Sequence, residues 1–92
     1  MASFLARVYV SLKPTVNDPE GLTIADGLRS LGFAEVEGVR AGKYIEVRLT
    51  ASSAEDARRR VDAMCDRLLA NPIIESYRFE VEETIPTAVD SG

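Results

Sequence analysis

The amino-acid sequence predicts an α+β chain, and three observations carry that prediction. Stretches of strict apolar–polar alternation mark strands near both ends and in the middle. Between them lie two segments with apolar residues at helical spacing, each opening on a capping residue. The signals arrive in the order β-α-β, then β-α-β again.

The first strand is Arg7 to Lys13, with Ala6, Val8, Val10 and Leu12 on one face. Pro14 ends it, because proline has no N–H to give a ladder. Asp18 then reads as an N-cap with Pro19 at the first helical position. Thr23 and Asp26 offer a second start, close to a capping box. Ile24, Leu28 and Leu31 form a narrow apolar stripe, and Gly32 stops the helix. Gly21 and Gly27 weaken it by up to about 1 kcal/mol each relative to alanine, so packing must hold it.

Glu35 to Arg40 is read as the second strand, with a bulge near Gly38, since Val36 and Val39 cannot share a face of a regular strand. Lys43 to Thr50 is the third, with Ile45, Val47 and Leu49 inward and Tyr44, Glu46 and Arg48 outward. Ser52-Ser53 caps the second helix, and Glu55 and Asp56 sit in its first turn. Its buried stripe is Ala54, Ala57, Val61, Met64, Cys65 and Leu68, while Glu55/Arg59 and Asp56/Arg60 pair on the wet face. Asn71-Pro72 ends it, and Ile74 to Glu82 is the last strand, with Tyr77, Phe79 and Val81 inward. The simplest packing is a four-stranded antiparallel sheet, order 4-1-3-2 in chain order, with both helices on one face. That is a ferredoxin-like fold. Residues 1–83 make a single domain, and 84–92, without periodicity, are read as a disordered tail.

Composition narrows the function. A chain of 92 residues permits one domain, and 46% hydrophobic with 28% charged residues is ordinary for a globular protein. A net charge of −4 disfavours nucleic acid as partner. No window approaches a membrane span, and Met1 to Arg7 is too short for a signal peptide, so a cytoplasmic protein without membrane contact is expected. Cys65 alone forms no internal disulfide, in keeping with a reducing compartment. The absence of histidine excludes Ser-His-Asp and Cys-His nucleophiles and histidine-based metal sites. One cysteine excludes CxxC patterns.

Gly38 to Tyr44 is similar to a phosphate-binding loop only superficially. Its spacer is one residue short, Tyr44 stands where Ser or Thr is needed, and a strand follows where a helix should. A hairpin turn explains both glycines. Arg40 and Lys43 at its tip are either two solvated charges or a positive prong for an acidic partner or a phosphate. The open sheet face mixes Arg7, Tyr9, Tyr44, Glu46, Arg48 and Arg78, a composition that suits an interface or a solvated surface. It lacks the aromatic motif of RNA-binding sheets.

Five stretches together carry a resemblance: Val8 to Lys13, Asp18 to Gly21, Val39 to Tyr44, Met64-Cys65, and Leu68 to Tyr77. They resemble PurS, the small subunit of bacterial phosphoribosylformylglycinamidine (FGAM) synthase, from about Ala6 to Glu83. The resemblance implies a role in de novo purine biosynthesis, in which formylglycinamide ribonucleotide, glutamine and ATP become formylglycinamidine ribonucleotide, glutamate, ADP and phosphate. It implies a non-catalytic bridge, homodimeric or homotetrameric, between a glutaminase, PurQ, and a synthetase, PurL, that assists ammonia transfer. This chain would bind no cofactor, the complex using ATP and Mg. Under this resemblance Lys13, Asp18, Pro19, Glu20, Gly21, Arg40, Gly42 and Lys43 are candidate partner contacts. Tyr9, Tyr44, Glu46 and Arg48 are candidates for self-association. The rival reading is a small-molecule-sensing regulatory module, suggested by fold analogy alone.

Overall fold

A computed structural model of the chain describes residues 1–85; residues 86–92, most of the expected tail, lie outside the described residues. The sheet has three antiparallel strands in the order β2-β1-β3. They are β1 (Ala2–Leu12), β2 (Gly42–Ala51) and β3 (Glu75–Thr84), with helices α1 (Pro19–Ser30) and α2 (Ala54–Met64). β1 is bonded on both sides, Val8 facing Ile45 of β2 and Phe79 of β3. It starts at Ala2, because Ala2 to Leu5 continue the pairing with Arg48 to Ala51. β3 likewise runs on to Thr84, opposite Ser3.

The expected four-stranded sheet is corrected to three strands: Glu35 to Arg40 is not a strand. The phase break between Val36 and Val39 is real, and no bulge repairs it. The backbone finds other partners instead. The Arg29 guanidinium donates to the Val36 carbonyl at 3.0 Å and to the Glu37 carbonyl at 3.3 Å. The Ala41 N–H goes to Asp18 Oδ2 at 2.7 Å. With these groups satisfied, the segment has no need of a ladder.

The placement of both helices on one face is also corrected. Only α2 packs on the sheet, while α1 stands off it. Ile24 and Leu31, expected to face the core, are 41% and 76% exposed, and α1 buries only Gly21 and Ala25. The helix is held at its base rather than along a stripe. Its stop is as expected: Gly32 takes a φ of 102°, open to glycine without strain. With α1 projecting, the radius of gyration is 17.2 Å, against roughly 12 Å for a compact chain of this length.

The core is correspondingly small. Ala6, Val8 and Val10 of β1 meet Val61 of α2, Cys65 and Ala70, all buried. Ile45, Val47 and Leu49 of β2 and Tyr77, Phe79 and Val81 of β3 flank it half-buried. At the far end Phe4, Ala51 and Ala57 form a second cluster. Ser53 caps α2, its side chain accepting from the Asp56 N–H at 3.0 Å. The Asp56 carboxylate turns back to Ser52 and pairs with Arg59, so the expected Asp56/Arg60 pair does not form. Beyond Met64 the chain makes a π-helical turn, Cys65–Leu69, closed by the Ala70 N–H on the Cys65 carbonyl at 3.0 Å. That wider turn swings Leu68, expected in the core, out to 83% exposure.

Candidate functional site

Most of the sequence-predicted partner contacts converge at one end of the sheet, where α1 springs from it. Asp18 organises the place and is 5% exposed. Its Oδ1 accepts from the Gly21 N–H at 3.0 Å, the N-cap bond that the Asp18-Pro19 pair foretold. Its Oδ2 accepts from Ala41, just before β2 begins. These two bonds, Gly21 first, hold the Asp18 carboxyl below its ordinary value, with the positive charge of Arg40 adding to them and burial opposing. Gly21 is required by contact, since a β-carbon there would strike the Val39 carbonyl oxygen. Gly42 is required in the same way: a β-carbon would lie 2.5 Å from the Val10 carbonyl oxygen.

The two cations do not form a free prong. There is no hairpin tip, because Gly42 and Lys43 already belong to β2. Arg40 folds back to donate to the Lys13 carbonyl at 3.0 Å. Lys43 faces Val10 across the ladder, on the α2 side of the sheet, with Nζ 3.6 Å from Glu75. Beside Lys43 opens a cleft of about 290 Å³, lined by Val10 and Leu12 and by Asp18, Glu20, Ala41, Lys43 and Glu75. Ala41 and Glu75 were not singled out from the sequence. Glu75 Oε1 also takes the Asn71 N–H at 2.7 Å, so one carboxylate ties the α2–β3 connection to β2. The mixed charge of the rim gives no phosphate cradle, and no helix follows Lys43.

The candidate self-association residues lie on the opposite face of the sheet. Tyr9 and Tyr44 face each other, ring centroids 5.3 Å apart, and the Arg78 guanidinium sits 4.0 Å over the Tyr9 ring. The Tyr44 hydroxyl donates to Glu46 at 2.7 Å, which pushes its phenol pKa up. Glu46 faces Arg7, which pairs with Glu82, and Arg48 faces Leu5. Polar groups of this face thus bond one another, Tyr44 to Glu46 within β2, and Tyr9 to Glu80 and Arg7 to Glu82 between β1 and β3.

Among the described residues no three Asp, Glu, Cys or His side chains converge to hold a metal ion. Cys65 is fully buried, and burial pushes its thiol pKa up, the reverse of a reactive cysteine. No described helix is long and apolar enough to cross a membrane.

Comparison with known proteins gives this geometry a family. The PurS model, described as phosphoribosylformylglycinamidine (FGAM) synthase, matches residues 5–83. The PurS subunit of Synechocystis sp. is 48% identical over 79 residues, covering 86% of this chain and 79% of that protein. The crystal structure of Methanocaldococcus jannaschii PurS, one of the subunits of formylglycinamide ribonucleotide amidotransferase in the purine biosynthetic pathway, is 38% identical with a TM-score of 0.79, covering 89% of this chain and 99% of that one. A chain of the PurLQS structure from Thermotoga maritima matches at 36% identity and a TM-score of 0.79, covering 91% and 100%. This chain therefore belongs to the PurS family, the PurS subunits of FGAM synthase in purine biosynthesis.

Proposed function

We propose that this chain is the non-catalytic bridge of a three-component FGAM synthase, joining a glutaminase subunit, PurQ, to a synthetase subunit, PurL, and assisting the passage of ammonia between them. The observation that carries the reading is its full coverage of a chain in the T. maritima PurLQS assembly. The side-chain inventory supports it: no histidine, and a single cysteine that is buried. On this reading the isolated chain is inactive, and ATP and Mg belong to the synthetase subunit. The protein works in the cytoplasm.

We assign partner contacts to the cleft beside Asp18: Lys13, Asp18, Pro19, Glu20, Gly21, Arg40, Gly42 and Lys43. Lys43 and Glu20 offer opposite charges at an apolar floor, which suits a polar-rimmed docking surface. The chain also self-associates, as a homodimer or homotetramer, and Tyr9, Tyr44, Glu46 and Arg48 are contacts available on the outer sheet face.

The test is assembly. This chain, mixed with PurL and PurQ of its own organism, should elute with both as one species in size-exclusion chromatography. Arg40→Glu with Lys43→Glu should shift the complex toward free subunits while circular dichroism stays unchanged. PurL and PurQ associating equally well without the chain would remove the bridging role.

A further inference from the structure

The connection from α2 to β3 ends in a turn, Asn71 to Ile74, in which every backbone N–H is bonded. The Asn71 side chain accepts the Ile73 N–H at 3.0 Å. Its carbonyl accepts the Ile74 N–H at 3.2 Å and the Glu75 N–H at 2.7 Å. Glu75 Oε1 accepts the Asn71 N–H, and the Ile74 carbonyl accepts the Lys13 N–H at 2.9 Å, which ties the turn to the end of β1. A turn fixed this firmly ordinarily shows polar side chains to water. This one shows Pro72, Ile73 and Ile74, all exposed, with Ile73 at 80%.

A single exposed apolar residue needs no explanation, but three in a row on a preorganised backbone do. An apolar side chain held out by a bonded turn has little backbone freedom left to lose on binding, which is what an interface anchor needs. The charges beside the turn say what it fits. Lys13 bonds it directly, Arg40 donates to the Lys13 carbonyl, and Lys43 pairs with Glu75. The nearby carboxylates are mostly engaged: Glu75 by the Asn71 N–H and Lys43, and Asp18 by the Gly21 and Ala41 N–H groups. That leaves three cations against Glu20 on the cleft. Two copies of this surface facing each other would oppose like charges, so a different protein with acidic groups is its complement.

We propose that Ile73 anchors the docking of a partner subunit, seating in an apolar socket whose rim carries carboxylates opposite Lys13, Arg40 and Lys43. The proposal rests on the bridging role stated above. It extends the Asp18 cleft, through the shared Glu75, to a turn that the candidate contacts left out.

Substitution of Ile73 in the full-length chain tests it, with assembly alongside PurL and PurQ of the same organism followed by sedimentation velocity. Ile73→Asp sets a carboxylate into an apolar socket with an acidic rim and should weaken assembly at least about tenfold relative to wild type. Ile73→Leu, which keeps an apolar side chain of the same volume, should stay within about threefold. Alone, both variants should keep the circular dichroism and the oligomeric state of wild type, because the side chain is exposed. Wild type failing to join PurL and PurQ would overturn the bridging role and the anchor with it. Wild type assembling while Ile73→Asp matches it would overturn the anchor and leave bridging standing. A changed oligomeric state for Ile73→Asp alone would also overturn it, by showing that a second copy covers the turn.

Discussion

Asp18 reaches across 23 positions of sequence to accept the Ala41 N–H at 2.7 Å while capping its own helix through Gly21. One carboxylate thereby fixes where α1 starts, where β2 starts and the angle between them. A buried carboxylate is costly unless fully bonded, and this one is. Asp18→Ala should lower the thermal midpoint by roughly 4–8 °C, the shift expected for loss of one helix cap in a domain of this size. Asp18→Asn, which keeps an acceptor oxygen, should recover part of the loss. An unchanged midpoint for Asp18→Ala would mean that the base of α1 is held by something else.

Acid should unfold the protein through the same contacts. Asp18 and Asp56 both titrate below their ordinary value of 3.8 in the folded chain, Asp18 through the Gly21 and Ala41 N–H groups and Asp56 first through the Ser52 N–H. The unfolded chain therefore binds more protons in this range. Their contribution is whole above pH 3.8 and is lost as pH falls through the lower folded values. Urea midpoints measured from pH 6 downward should stay level and then drop below about pH 4, with a shallower drop in Asp18→Ala.

The glycines predict opposite signs for one type of substitution. Gly21→Ala and Gly42→Ala put a β-carbon against the carbonyl oxygens of Val39 and Val10 and should destabilise the fold. Gly27→Ala meets nothing within 4 Å in the middle of α1 and should stabilise it by up to about 1 kcal/mol. Chemical denaturation of the three variants separates contact from helix propensity.

Tyr77 should be the last tyrosine to ionise. Its hydroxyl donates to Asp62, and that bond, with burial second, pushes its pKa up to about 12. An ultraviolet titration should show one phenol lagging the others, and Asp62→Ala should return it toward its ordinary value of 10.0. Because the folded chain holds this proton more tightly, the associated stability is intact below pH 10 and is lost on rising through 12.

What was legible in the sequence was local. Alternation in Arg7 to Lys13, Lys43 to Thr50 and Ile74 to Glu82 placed three strands, and Asp18-Pro19, Ser53 and Gly32 placed helix ends that the structure keeps. The misreadings are long-range. Val36 and Val39 looked like a strand with a bulge because the alternative, two carbonyls bonded by an arginine side chain, leaves no periodic trace. Leu68 looked buried because a regular helix was assumed, whereas the π-helical turn shifts its direction. The Asp18 cleft was half visible: its glycines and charges stood in two motifs, but Ala41 takes part through a backbone N–H and Glu75 through a distant turn. The stand-off of α1 was invisible, since an apolar stripe does not say which chain covers it.

On the proposed reading this chain connects two active subunits and has no chemistry of its own. Amidine formation by PurL and PurQ, followed with glutamine and separately with ammonia as nitrogen source, tests it most directly. Omitting the chain should cut the glutamine-driven rate sharply and leave the ammonia-driven rate much less affected. Equal rates with and without the chain for both nitrogen sources would contradict it.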